Sequence, residues 1–326
     1  MTFPYLFRLL CLSLGCFFLV HLCVGLLVYL ATPFAIRMAR RMRPRRAAGF
    51  VLALRMTPLG SGAFAVAGLC IPSYLRLEPE TTAEPIGFLC LAAALLGVAI
   101  WVISMARAFR AIFRSLRYVR QCERSALKTN VAGERAPVWV VDGIAPLVAL
   151  AGILRPRLVI SRPVLRALSA EQLDAALRHE RAHEKSRDNL KRLAVLMAPG
   201  FIPCVRGFET LERAWARFAE WTADDRAVAG DPRLSLSLAG ALVRVARLSA
   251  GAQSSCLVST LLANGEDLST RIDRLLLLAS ERAESERGSP VIALGTMFAL
   301  SAFVAAVVMQ PGLLSSVHAM LEHLVH

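Results

Sequence analysis

Apolar and polar positions fall into two regimes along the 326 residues. Four stretches, at about 9–36, 47–72, 87–106 and 290–310, are apolar enough to form a helix that crosses a bilayer, which takes about 20 residues. Arg55, Pro58 and Gly60 interrupt the second, whereas the third and fourth carry no charge. The first is too long for a cleavable leader and no small-residue cleavage site clearly follows it, so it reads as an anchor. After the third stretch, Arg107, Arg110, Arg114, Arg117, Arg120 and Arg124 recur at helical spacing beside Phe109, Ile112, Phe113, Leu116 and Val119. That pattern predicts a basic amphipathic helix over 107–136 that continues the third span.

Residues 137–289 have the periodicities of a compact domain. Short β-rich runs at 138–141, 147–150 and 158–160, punctuated by Gly and Pro and by the Asp142-Gly143 turn, predict a small sheet. Ser169 and Gln172 then fit a capping box, and Leu173, Ala176 and Leu177 form the inner stripe of the helix it opens. Everything later reads as helical. The run 193–205 is too short to span and is broken by Pro199, Gly200 and Pro203, and both a dip into the inner leaflet and a buried hairpin fit it. The expected architecture is a mainly α membrane protein. A three-helix region (1–106) leads into an α+β domain inserted between helices three and four, and a short extracytoplasmic tail (311–326) follows.

Composition agrees, because 56% hydrophobic residues exceed what a soluble domain of this length carries. Six arginines lie within 37–46, and Glu78, Glu80 and Glu84 follow the second stretch. By the positive-inside rule the N-terminus faces out and residues 107–289 face the cytoplasm, as in a bacterial-type inner membrane. A net charge of +14 raises nucleic acid as a partner. No nucleic-acid motif accompanies the charge, and the amphipathic placement of the arginines suits anionic lipid headgroups better. Of the eight cysteines, Cys11, Cys16, Cys23, Cys70 and Cys90 lie in membrane stretches. Cys122, Cys204 and Cys256 lack metal-site spacing, so free thiols are expected.

Candidate chemistry sits on the capped helix. The run 177–188 reads Leu-Arg-His-Glu-Arg-Ala-His-Glu-Lys-Ser-Arg-Asp, and its His179 and His183 are the only histidines in 107–289. Positions i and i+4 share a helix face, so both rings can reach one zinc ion, with Glu180 beside them as general base for hydrolysis. A third ligand must be a carboxylate, and on distance alone Glu209, Glu212 and Glu220 all qualify.

Several runs resemble the membrane metallopeptidases of the BlaR/MecR type. They are Leu-Arg-Pro-Arg-Leu-Val-Ile-Ser at 154–161, Leu-Ser-Ala-Glu-Gln-Leu at 168–173, His-Glu-Arg-Ala-His at 179–183 with Arg187 and Asp188, Glu-Trp-Thr-Ala-Asp-Asp at 220–225, and the late helix 268–276. The resemblance covers most of 138–280. It implies a cytoplasmic gluzincin (zincin-like) domain between the third and fourth spans, with one zinc ion. It also implies Glu220 as third ligand, Asp224 as partner of a ligating histidine, and a protein substrate such as a transcriptional repressor.

The chain departs from that pattern at Ala223, where the family usually has Cys. No His or Tyr lies between His183 and the fourth stretch to stabilise an oxyanion, which leaves Arg226 as the candidate. About fifteen residues follow Gln310, where the best-known relatives carry a penicillin-binding sensor, so sensing falls to a separate protein. Ser125 and Lys128 match Ser-x-x-Lys by chance, on the wrong side of the membrane. Two rival readings share the motif: an HtpX-type quality-control protease, and a non-catalytic signalling protein with a structural zinc.

Overall fold

A computed structural model describes residues 3–77, 87–129, 137–142, 148–201, 207–250 and 265–280. The expected fourth span, the tail, Gly143, Leu147, Cys204 and Cys256 lie outside the described residues. Among the described residues, three helical spans are long and apolar enough to cross a membrane: Tyr5–Ala39, Pro44–Leu77 and Phe88–Ser125. The first lies in helix α1 (Phe3–Ala39). The second joins α2 (Pro44–Phe64), a π-helical turn (Ala65–Cys70) and α3 (Ile71–Leu77). Pro58 is accommodated inside α2, and the span remains continuous through the π turn.

The third span is α4 (Phe88–Ser125). It packs on α1 through missing side chains. A Cβ on Gly97 would stand 2.8 Å from the Leu14 carbonyl oxygen, and one on Gly15 would touch the Cys90 backbone at 3.5 Å. Small residues at such crossings let helix backbones approach closely enough for dispersion to hold them.

The basic helix expected over 107–136 ends at Ser125, because Leu127–Thr129 forms strand β1 instead. Strands β2 (Val138–Val141), β3 (Val148–Ala151) and β4 (Arg157–Ser161) complete a four-stranded sheet of order β1-β2-β4-β3. The β2–β4 pair is parallel and the others antiparallel. Alternate side chains point to opposite faces of a strand, and here both faces are covered. Val138, Val140, Val148 and Ile160 join the domain core. Trp139, Ala149, Ala151 and Val159 pack with Tyr118, Val119 and Cys122 of α4. One part of the apolar face of α4 therefore roofs the sheet, while Phe109, Phe113 and Leu116 stay exposed.

Helices α5 (Arg162–Ala167), α6 (Ala170–Ser186), α7 (Asp188–Met197), α8 (Glu209–Val228), α9 (Pro232–Ala250) and α10 (Gly265–Ser280) follow. The core gathers Ala175 and Ala176 of α6, Ala227 and Val228 of α8, Leu238, Leu242 and Val245 of α9 and Leu275 of α10. A second face of α8 (Leu211, Ala214, Trp215, Phe218) packs with Val28 and Ala39 of α1 and Ala47 and Val51 of α2. The helix that carries Glu220 is thus docked on the first two spans.

Candidate metal centre

Helix α6 begins with the expected capping box: the Gln172 amide donates to Ser169 Oγ at 3.3 Å and the Ser169 amide to Gln172 Oε1 at 3.2 Å. It ends at Arg187, whose φ of 53° places a non-glycine residue in the left-handed region. That residue closes α6 and opens α7 in one step, and it folds Asp188 back onto α6. His183 Nδ1 then donates to Asp188 Oδ2 at 2.8 Å, and Lys191 Nζ lies 2.9 Å from the other oxygen, Oδ1.

The other histidine is held from α8. His179, 1% exposed, has Nδ1 2.9 Å from Oδ1 of the fully buried Asp224. With both Nδ1 atoms turned to carboxylates, both Nε2 atoms point the opposite way, 3.1 Å apart. Glu220 closes the triangle, with Oε2 3.4 Å from His179 Nε2 and Oε1 3.6 Å from His183 Nε2. His179, His183 and Glu220 form a group that could hold a metal ion. A tetrahedral zinc with bonds of about 2.0–2.2 Å sets its ligand atoms roughly 3.3–3.6 Å apart, close to the three distances here. The donor chemistry agrees. Nδ1–H tautomers leave two nitrogen lone pairs facing one another and a carboxylate, an arrangement that repels unless a proton or a metal cation lies between them.

Electrostatics point the same way. Burial lowers the His183 pKa, but Asp188 and Glu220 outweigh it and push it up to about 10. Burial likewise opposes a charge on His179, yet Asp224 and Glu220 raise its pKa. Burial raises the Glu220 pKa, and its contacts with the two histidines carry it well below the usual carboxylate range. The pocket therefore favours positive charge between its acidic walls. Glu180 differs: it is buried, and desolvation raises its pKa against the opposing effect of the histidines. A carboxylate shifted toward neutral pH is suited to accepting and returning a proton.

Of the other two glutamates that qualified on spacing, Glu209 is exposed in the first turn of α8 and Glu212 accepts from Arg55 Nε at 2.9 Å. Arg226, the expected oxyanion candidate, is not brought to the two histidines. Six residues beyond Glu220, it leaves the ligand-bearing face of α8; it is exposed and donates to Ser186 Oγ. The arginine that reaches the site is Arg271 of α10, 3% exposed. Its Nε and Nη2 donate to Asp224 Oδ2 and Oδ1 at 2.9 and 2.7 Å, and Nη1 lies 3.1 Å from Glu220 Oε2. One turn on, Arg274 pairs with Asp225 and lies over the Trp221 ring at 5.6 Å. Asp188 and Arg271 were the residues that motif reasoning left without a role. Both lie in runs that carry the resemblance, and that was their one signal.

Comparison with known families fits this geometry. Residues 114–224 match the model of peptidase family M48. The match indicates a metallopeptidase hydrolase, and family M48 is zinc-dependent. It covers α4 from residue 114, the sheet, both histidines, Glu180, Glu220 and Asp224. No curated protein matches the chain. Together with the three candidate membrane-spanning helices among the described residues, the match suggests a membrane metallopeptidase.

Proposed function

We propose that this chain is an integral membrane zinc metalloendopeptidase of the BlaR/MecR type, cutting a cytoplasmic or membrane-proximal protein in regulatory proteolysis. The observation that carries the reading is the convergence of His179, His183 and Glu220 beside a buried Glu180. Bound there, zinc would supply Lewis acidity, polarising the scissile carbonyl and acidifying the attacking water. Glu180 takes the proton of that water and returns it to the leaving amine. Asp224 and Asp188 fix the tautomers of His179 and His183, and Arg271 holds Glu220 and Asp224 in register. The peptidase domain faces the cytoplasm of a bacterial-type inner membrane, the N-terminus lies outside, and a transcriptional repressor is the substrate. A separate sensor protein supplies the stimulus. Exposed Phe109, Phe113 and Leu116 beside the exposed Arg110, Arg114 and Arg117 support contact with anionic lipid rather than nucleic acid.

The M48 match lends weight to a second reading, an HtpX-type quality-control protease. A broad substrate range separates it from the first. The test compares zinc content and cleavage of a candidate repressor by the full-length protein and its Glu180→Gln variant in nanodiscs. Both should bind about one zinc, and only the unmutated protein should cleave. Equal signalling by both would instead favour a non-catalytic role with a structural zinc.

A further inference from the structure

Among the polar side chains buried within the apolar spans are the ionisable groups of His21 and Arg55, which are costly there and mark a site of use. His21 of α1 is fully buried and its Nε2 donates to the Gly200 carbonyl oxygen at 2.9 Å. Arg55 of α2, 1% exposed, donates from Nη2 to the carbonyl oxygens of Ala198 and Pro199 at 3.2 and 3.3 Å, and from Nε to Glu212 at 2.9 Å. Its guanidinium also lies over the Phe208 ring at 4.5 Å. Three consecutive carbonyls at the end of α7 are thus held by two spans. Phe201 completes the contact, stacking on Tyr29 at 5.9 Å and lying where a Cβ on Gly25 would meet it at 3.2 Å.

Docking alone does not require this arrangement. The apolar contacts of Val28, Ala47 and Val51 with Leu211, Trp215 and Phe218 already join α8 to the spans, and replacing a buried ion pair by apolar residues of the same volume is often neutral or stabilising. The placement of Arg55 is what distinguishes it. It touches the residues just beyond the C-terminus of α7, the helix whose first residue, Asp188, orients His183. It also touches the first turn of α8, which carries Glu220 about 12 Å further along the helix.

We propose that Arg55, assisted by His21, is a positioning residue for the metal centre: the second span sets the distance between α7 and α8, and so the placement of Glu220 against His183. This rests on the metal-site reading above. Displacement of α2 then moves both arms of the site, which gives the membrane region a mechanical path to the ligands.

The test uses full-length protein in nanodiscs and reads zinc affinity by chelator competition, the visible spectrum of the cobalt-loaded form, and the melting temperature. Arg55→Met should lower both stability and zinc affinity, since it strands Glu212. Arg55→Met combined with Glu212→Met should restore the melting temperature yet leave zinc bound about tenfold more weakly with a changed cobalt spectrum. Val51→Ala, which thins the apolar contact, should lower the melting temperature with zinc affinity unchanged. Native zinc affinity and spectrum in the double variant would overturn the proposal, as would equal zinc loss in Val51→Ala. Absence of zinc binding by the unmutated protein would overturn the metal-site reading and this proposal together.

Discussion

Removal of the Asp188 carboxylate tests the construction of the site at a residue that binds no metal itself. His183 Nδ1 donates to Asp188 Oδ2 at 2.8 Å, both side chains are mostly buried, and no other carboxylate is placed against that nitrogen among the described residues. Without Asp188, His183 loses the partner that fixes its tautomer and ring angle. Outer partners of this kind are worth about 10–100-fold in metal affinity, or roughly 1.4 to 2.8 kcal/mol. Asp188→Ala should fall at the upper end of that range. Asp188→Asn, which keeps an acceptor oxygen but loses the charge, should fall at the lower end. Lys191→Ala supplies the control, because the Lys191 side chain is 40% exposed and its i,i+3 pairing with Asp188 contributes little; a change of at most about twofold is expected. Zinc affinity measured by competition with a calibrated chelator reads all three. Zinc binding by Asp188→Ala within twofold of the unmutated protein would refute the argument.

Two further substitutions test the packing around the centre. Gly97→Ala would set a Cβ 2.8 Å from the Leu14 carbonyl oxygen, so α1 and α4 must part, at about 1–3 kcal/mol; thermal unfolding in detergent should show the loss, while Gly49→Ala, which meets nothing within 4 Å, should not. Arg271→Met removes the guanidinium from buried Asp224 and half-buried Glu220, leaves the two histidines to balance them, and should cost up to about 3–5 kcal/mol in denaturant unfolding of the metal-free protein. Unchanged stability in that variant would mean that the acidic pair is neutralised by other groups.

Local rules made one part of this protein legible. The i, i+4 histidines, the capping box and the first three apolar spans each follow from periodicity within a single element, and the structure contains those elements. Beyond a single element, the sequence left choices open. Glu212 and Glu220 lie on one helix and both qualified as ligands on spacing. They are eight residues apart, which amounts to about 12 Å and 80° around the helix axis, so they cannot serve one centre. Which of them faces α6 depends on which face of α8 the spans occupy, and Leu211, Trp215 and Phe218 decide that by packing against α2. Arg55 then fixes Glu212 to the membrane side, and Glu220 is left facing the two histidines. An arginine that interrupts the second span when read alone is, in the folded chain, the partner that holds Glu212 apart from the carboxylate proposed as a ligand. The same reasoning covers Arg271, whose value lies in a contact across 47 positions with Asp224. No local pattern encodes a contact at that separation, and it becomes visible only when α10 is laid against α8.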